Sequence, residues 1–140
     1  MAPTISQVRA SVVDAINAGG FGVVASSVYM GERDLGDLGS VVVEVVAGPV
    51  EADAEAVNST ELRRTVSVVV RKRVDSSSVA EVDEVFELAE AIGVALLNGE
   101  IPVAAQAIGL EVEPIDPDAL VEGIAEAAAN VVYLVPGVGA

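Results

Sequence analysis

The feature that most constrains this chain is a strict alternation of side-chain types between residues 62 and 74. The even positions include Val66, Val68 and Val70, whereas the odd positions are mostly polar or basic. Because successive side chains of a β-strand point to opposite faces, a period of two predicts a long strand. That strand would have one apolar face and one polar face.

An amphipathic helix is predicted directly after this strand. Beyond a turn at residues 75–78, apolar side chains recur at intervals of three and four from Val82 to Leu97, and acidic side chains occupy the rest of the helical wheel. Ser78 and Glu81 have the spacing of a capping box, and Asn98-Gly99 provides a stop signal. The pattern predicts a helix over about residues 79–97.

A second amphipathic helix is predicted near the N-terminus, over about residues 5–18. Thr4 and Gln7 have the spacing of a capping box, and Gly19-Gly20 provides the stop, because glycine adopts the left-handed conformation that ends helices. The apolar residues of this segment share one face of the helix: Ile5, Val8, Val12 and Ile16.

The other segments complete an α+β pattern. Strands are expected at 23–29, 40–47, 103–112 and 131–135, and a short Ala-rich helix is expected at 119–129. Gly48-Pro49 is expected to break the second strand, so that residues of about 48–60 form a mobile acidic loop. Residues 31–39 are expected to form a turn-rich connection. The chain 1–140 is therefore predicted to be a single α+β domain, with a mixed or antiparallel sheet packed against two main amphipathic helices.

The apolar content of the chain indicates an interface. Apolar residues make up 52% of the 140 residues, but aromatic residues make up only 3%, so the core must be aliphatic. A domain of this size has a limited interior, and part of the apolar surplus is expected at the surface, where contiguous apolar area usually marks an interface.

Most familiar catalytic and binding sites find no support in the sequence. The chain has no Cys and no His, which excludes Ser-His-Asp and Cys-His arrangements and the zinc sites that use these ligands. The acids Asp34 and Asp37 could hold a cation, as could those of residues 51–55, but their spacing matches no calcium loop. Gly19–Gly22 follow a helix and precede a strand, the wrong order for a phosphate loop.

Four acids could supply the carboxylate pair of a glycoside hydrolase, but no aromatic side chains that could stack on sugars lie nearby in the sequence, which argues against such a site. The acids concerned are Glu111, Glu113, Asp116 and Asp118. We expect no catalytic, cofactor or metal site, and hence no enzyme. No segment has the roughly 20 apolar residues of a membrane span, so a soluble protein without a membrane partner is expected.

The net charge of −15 argues against direct binding of a nucleic-acid backbone, since that affinity comes from Lys and Arg. Five of the seven bases nevertheless cluster in the alternating strand: Arg63, Arg64, Arg71, Lys72 and Arg73. Three interpretations remain open: a nucleic-acid patch, a docking surface for acidic patches on neighbouring copies, or a polar sheet face that discourages edge pairing.

The order of these elements and the residue patterns within them resemble a known protein family. The run RRTVSVVVRKRV at 63–74, the following EVDEVFELAEAI at 81–92 and the closing NVVYLV at 130–135 carry most of the resemblance. They are similar to the tail terminator (tail-completion) and neck proteins of long-tailed bacteriophages. The resemblance spans most of the chain.

The resemblance implies a virion protein at the head–tail junction. Such proteins form a ring, usually of six copies, that caps the tail tube and joins it to the head-side connector. Six copies at −15 each would carry −90, a field that would repel passing DNA as an unbound cargo. The strand 62–73 would then mediate subunit contacts, and acidic loops would face the channel or a partner ring: Glu32, Asp34, Asp37, Glu51, Asp53 and Glu55.

Two other functions fit the sequence. A small non-viral adaptor could bind one protein partner through the basic strand 62–73. An enzyme could use carboxylates, Ser, Thr or Lys alone. Stoichiometry distinguishes the first of these from a ring, because a ring has a high and fixed copy number. A polar-lined cleft whose carboxylates have perturbed pKa values would indicate the enzyme.

Overall fold

The computed structural model of the chain describes residues 4–22, 24–28, 41–56, 59–75, 77–99 and 106–138. Within these residues it contains a five-stranded mixed sheet and three helices, which confirms the predicted α+β class. The elements in chain order are α1 (Ile5–Ala18), β1 (Ala25–Val28), β2 (Val42–Ala56), β3 (Ser59–Arg73), α2 (Val79–Asn98), β4 (Gln106–Glu113), α3 (Pro117–Val121) and β5 (Ile124–Val138).

The alternating strand lies at the centre of the sheet. The strand order is β1-β2-β3-β5-β4, so β3 pairs with β2 on one side and with β5 on the other, antiparallel in both cases. In this register Val68 lies opposite Val45 of β2 and Ala129 of β5. The edge strand β1 runs parallel to β2, which makes the sheet mixed.

The two long helices cover one face of this sheet. The even positions of β3 point towards them, together with the residues of β2 and β5 that lie opposite in the register. The buried core includes Val8, Val12 and Ile16 of α1, Val85, Ala89, Ile92 and Leu96 of α2, and Val43, Val45, Val66, Val68, Val70, Ala125, Ala127, Ala129, Val131 and Tyr133 of the sheet. As expected from the composition, this core is almost entirely aliphatic.

The segment expected as an acidic loop is instead part of a long hairpin. Strand β2 continues through Gly48-Pro49 to Ala56, and β3 begins at Ser59; residues 57–58 lie outside the described part. A shift in strand register between Ala47 and Val50 accommodates Gly48-Pro49 within the hairpin. The backbone of β3 lies so close to Gly48 that a Cβ there would be 2.9 Å from the carbonyl oxygen of Thr65. Cross-strand pairing therefore extends a segment whose own sequence has no clear period.

The Ala-rich segment expected as a helix at 119–129 is mostly strand. Helix α3 ends at Val121, Gly123 has a positive φ of 82°, and β5 begins at Ile124. The physical reason is packing: β5 pairs on both sides, and its small side chains let α2 approach closely. A Cβ at Gly93 of α2 would lie only 3.0 Å from the Cβ of Ala129. Tertiary contacts here override the helix propensity of alanine.

The start of α1 confirms its predicted capping box. The backbone N–H of Gln7 donates to Thr4 Oγ1 over 3.2 Å, and the backbone N–H of Thr4 donates to Gln7 Oε1 over 2.8 Å. At its other end Gly20 has a φ of 74° and turns the chain away from the helix.

The start of α2 shows only half of the predicted box. The backbone N–H of Glu81 donates to Ser78 Oγ over 3.4 Å, but the Glu81 carboxylate accepts from the backbone N–H of Asp75 over 2.8 Å. The Asp75 carboxylate accepts hydrogen bonds from the hydroxyl and from the backbone N–H of Ser77. Both hydrogen bonds lower the pKa of Asp75, and the one from the hydroxyl has the larger effect. The turn between β3 and α2 is thereby closed by its own polar groups.

The bounds of three other strands also differ from those expected. The strand expected at 23–29 is Ala25–Val28, and the one expected at 103–112 is Gln106–Glu113, with residues 103–105 outside the described part. The last strand is much longer than 131–135 and continues past Pro136-Gly137. The turn-rich connection at 31–39 also lies outside the described residues.

Candidate interaction surface

The sheet face opposite the two long helices is the main candidate surface, and we call it the open face. It is formed by the odd positions of β3 and the residues that lie opposite them in the register. Its residues include Val42, Glu44 and Val46 of β2, Arg63, Thr65, Ser67, Val69, Arg71 and Arg73 of β3, and Ile124, Glu126, Ala128, Asn130, Val132 and Leu134 of β5. The short helix α3 covers one corner, where Ala119 and Ile124 pack with Val42.

A buried ionic cluster lies near that corner. The Arg71 guanidinium donates to the Glu44 carboxylate, and its Nε lies 3.5 Å from a carboxylate oxygen of Glu126. Arg71 is 5% exposed and Glu44 is 4% exposed. A charge is removed from water at this depth only where opposite charges compensate it. Arg71 is therefore committed to two carboxylates of its own chain.

The middle of the open face combines apolar side chains with acids: Glu44 lies opposite Val69 in the register, and exposed Glu111 of β4 lies opposite Asn130. Val46, Val69 and Val132 are half-buried there, and the Ser67 hydroxyl lies 2.6 Å from Asn130 Oδ1. An antiparallel sheet with one solvated face usually alternates apolar residues inside with polar residues outside. This face departs from that rule, because β-branched apolar side chains occupy its centre.

The five clustered bases are divided between the two faces of the sheet. Arg63 and Arg73 lie on the open face near opposite ends of β3; both are exposed and both interact with other groups of the chain. Arg64 and Lys72 lie at even positions, on the helix-covered side, and are half-buried. Only the first two, with buried Arg71 between them, belong to the open face.

The predicted acidic residues are placed only in part. Glu51, Asp53 and Glu55 lie in β2, where Glu51 is opposite Arg63 in the register. Glu32, Asp34 and Asp37 lie outside the described residues. That these six acids face a channel or a partner ring stays a prediction.

Sequence reasoning missed the two carboxylates that hold Arg71. Glu44 interrupts a run of five valines between positions 41 and 46, and this lone acid in an apolar strand is the signal that could have pointed to a buried ion pair. Glu126 lay in the segment expected to be helical, so its position opposite Arg71 could not be inferred without the register of β5.

Tyr133 is the largest fully buried side chain, and it carries a polar group. Among the described residues its hydroxyl has no hydrogen-bond partner, and neither has Nε of Arg64, the residue directly opposite it on β3. Burial raises the pKa of Tyr133 to about 12. The neutral phenol therefore contributes packing to the core.

The four acids weighed as a hydrolytic pair are spread along the edge of the sheet. Glu111 and Glu113 are exposed on β4, whereas Asp116 caps α3 by accepting the backbone N–H of Asp118 over 3.0 Å. Among the described residues no group of three or more acidic side chains could hold a metal ion. In the same part of the chain no helix is both long enough and apolar enough to cross a membrane.

Comparison with known proteins yields a likeness of fold. No protein-family model and no curated protein matches the chain. Among solved structures 24 chains match, including one from the virion of a native gene transfer agent particle. That likeness has a TM-score of 0.56 and covers 93% of this chain and 95% of the other, with 14% sequence identity. The two chains therefore share their fold almost from end to end.

Proposed function

We propose that this chain is a structural protein of a phage-like virion. The observation that carries the proposal is the end-to-end fold likeness to a chain of the gene transfer agent virion, at a TM-score of 0.56. It agrees with the resemblance of segments 63–74, 81–92 and 130–135 to tail terminator and neck proteins. The chain would act by assembly and would catalyse no reaction.

In its finer form, the proposal is a ring of six copies at the head–tail junction. The ring ends the tail tube, joins it to the head-side connector and leaves a channel for DNA. The open face supports this form, because its half-buried valines and its buried ionic cluster suit a surface that another subunit covers. Arg63 and Arg73 lie on this face, at the rim of the proposed subunit contact, whereas Arg64 and Lys72 lie on the helix-covered side of the sheet.

The channel of such a ring would be negative. Six copies at −15 each carry −90, and we propose that the acids of 32–37 and 51–55 face the channel or a neighbouring ring. Since DNA carries a dense negative charge, an acidic lumen repels it and lets it slide without binding.

The experiment that tests the proposal is a native mass by light scattering, combined with negative-stain images of the same peak. We expect a closed ring with a fixed copy number, either alone or in the presence of the tail tube protein. A chain that stays monomeric under both conditions would contradict the proposal. A complex of one copy with a single partner would instead support the adaptor interpretation.

A second experiment tests the place of the ring in the particle. Deleting the gene from the producing cell should leave heads and tails unjoined, or tails of irregular length, in electron micrographs. Normal particles that lack this chain would contradict the head–tail assignment.

A further inference from the structure

One arginine lacks an acidic partner among the described residues. The structure describes six of the seven bases, and four of these interact with other groups of the chain: Arg9, Arg63, Arg71 and Arg73. In the same part of the chain Arg64 and Lys72 form no ion pair, and the Nε atom of half-buried Arg64 is enclosed without a hydrogen-bond partner. An enclosed guanidinium needs a counter-charge. Because the chain has 22 acids, the lack of a partner within one copy points to a contact between molecules.

Arg64 lies where the cover of helix α2 ends. The 20 residues of α2 are about 30 Å long, whereas the 15 residues of β3 are about 50 Å long. The helix runs back along the sheet from the end of β3 at Arg73, so it covers about nine residues of that strand and ends near Arg64. Leu62, on the same side of the sheet, is half-buried but lies outside the core cluster. Arg64 and Leu62 therefore mark the border of the helix layer.

The unpaired polar groups at this border are donors. Tyr133 lies directly opposite Arg64 in the register and is fully buried, and its hydroxyl has no hydrogen-bond partner in the described part of the chain. A guanidinium presents its N–H groups in a fixed fork that matches the two oxygens of a carboxylate. The ligand that suits this border is therefore a carboxylate.

The open face carries carboxylates of that kind. Glu111 and Glu113 are exposed on β4, and neither forms an ion pair with the residues that the structure describes. The register places Glu111 beside Asn130, near the apolar centre of the face. The arginines of this face interact with groups of their own copy. An acid without a partner and a base without a partner thus lie on opposite sides of the same sheet.

An apolar gap lies beside Glu111. Gly109, two residues earlier in β4, lies opposite Val132, and the nearest described neighbour of a Cβ at Gly109 would be Val132 Cβ at 4.0 Å. The half-buried Val132 therefore forms the floor of a shallow gap. Glu111 and this gap are two residues apart in a strand, about 7 Å, and so are Arg64 and Leu62. The two surfaces therefore match in charge, in apolar character and in spacing.

We propose that the Arg64 guanidinium of one copy binds the Glu111 carboxylate of a second copy of this chain, with Leu62 packed in the gap at Gly109. The inference rests on the proposed ring and specifies its subunit contact. Because Arg64 and Glu111 lie on opposite sides of the sheet, they cannot meet within one copy. A contact between two different surfaces is head-to-tail, and such contacts close into a ring when the rotation between copies permits.

Charge exchange between the two positions tests the contact. We expect Arg64→Glu and Glu111→Arg each to lower the association constant at least tenfold in light scattering, because like charges then oppose each other. Both substitutions in one chain, or a mixture of the two single variants, should restore rings. Lys72→Glu and Asp14→Arg are matched controls, a half-buried base on the same side of the sheet and an exposed acid on α1, and both should leave assembly intact.

Each result has a distinct meaning, provided that circular dichroism shows folded variants. Rings that persist in both single variants would overturn this contact and leave the proposed function intact. An equal loss of assembly in the two controls would also overturn the contact, and so would a double variant and a mixture that both fail to recover. A monomeric wild type, also with the tail tube protein, would overturn the contact and the proposed function together.

A crosslinking experiment tests the same contact at unchanged net charge, with a substitution that keeps a cation at position 64. Since Lys72 is the only lysine of the chain, Arg64→Lys with Lys72→Arg moves that lysine to position 64. A carbodiimide then joins its amine to a carboxylate in contact with it. In a mixture of isotopically light and heavy chains, we expect peptide mapping to find a link from position 64 to Glu111 of another copy. The wild type, with Lys72 in place, provides the control and should give no link to Glu111. A link from position 64 only to other acids, or no link in assembled rings, would contradict the contact.

Discussion

The two faces of the sheet differ more in what covers them than in composition. Val68 and Val69 are neighbours in the same strand, yet Val68 is fully buried beneath the helices while Val69 is half-buried on the open face. On the covered face apolar contacts between the sheet and α1 and α2 account for the burial. On the open face a guanidinium and a carboxylate are buried by their cross-strand neighbours and by the short helix α3. The covered face specifies the fold, and the open face carries apolar and ionic features suited to a partner.

The largest effect should come from the ionic cluster of the open face. We expect Arg71→Met to lower the free energy of unfolding by about 3–5 kcal/mol, because it leaves buried Glu44 without its counter-charge. Urea denaturation monitored by circular dichroism would measure it. A loss below about 1 kcal/mol would show that the cluster is solvated and that the open face is an ordinary polar surface.

The matched control for that variant removes both charges. Arg71→Met with Glu44→Leu replaces the ion pair with apolar groups, and buried pairs replaced in this way are often neutral or even stabilised. We expect most of the lost stability to return. No recovery would show that Arg71 acts through its contact with Glu126 or through packing.

A pair of isosteric substitutions compares the faces directly. Val68→Thr buries a hydroxyl among apolar side chains and should cost about 1–3 kcal/mol, whereas Val69→Thr should change stability by no more than about 0.5 kcal/mol in the isolated chain. In an assembled ring Val69→Thr should weaken association, which sedimentation velocity would detect. Equal losses of monomer stability would contradict the distinction between the faces.

The contact between α2 and β5 should tolerate no added methyl group. A Cβ at Gly93 would lie 2.8 Å from Leu110 Cδ1 as well as 3.0 Å from Ala129 Cβ. We expect Gly93→Ala to destabilise the chain by about 1–2 kcal/mol in thermal denaturation, since overpacking outweighs the gain in helix propensity. Adding Ala129→Gly should relieve the clash; unchanged stability in the single variant would mean that Leu110 simply moves aside.

The smallest effect concerns the unpaired hydroxyl beneath the helices. We expect Tyr133→Phe to be neutral or to stabilise the chain by up to about 1 kcal/mol, because it removes a buried polar atom that has no partner in the described part of the chain. The pKa of Tyr133 is raised to about 12 from an ordinary value of 10, so its neutral form supports the fold fully below pH 10. That contribution is lost as the pH rises from 10 to 12. The free energy of unfolding of the Tyr133→Phe variant should therefore fall less steeply over this range than that of the wild type. Identical alkaline profiles would contradict the enclosed phenol.

Local sequence patterns were sufficient wherever one segment repeats a single period. The bounds of α1 and α2 and the faces of β3 follow from apolar spacing and from caps such as Thr4 with Gln7. The patterns failed at 50–56 and 124–129, which are strands because β3 pairs with them. At the candidate surface, the sequence located the basic strand. It did not show that the bases of this strand are divided between the open face and the helix-covered face of the sheet.

The sequence by itself determined an aliphatic α+β protein with a central two-faced strand and a strong net negative charge, because periodicity and composition are properties of the chain alone. Only the tertiary structure decided that Arg71 is enclosed by Glu44 and Glu126 and that an Ala-rich segment is a strand paired on both sides. It also decided that, within the described residues, both long helices lie on the same face of the sheet. The physical reason is that strand register brings Glu44 and Glu126, 82 positions apart in the sequence (126 − 44), to the same guanidinium, and no local pattern encodes that arrangement.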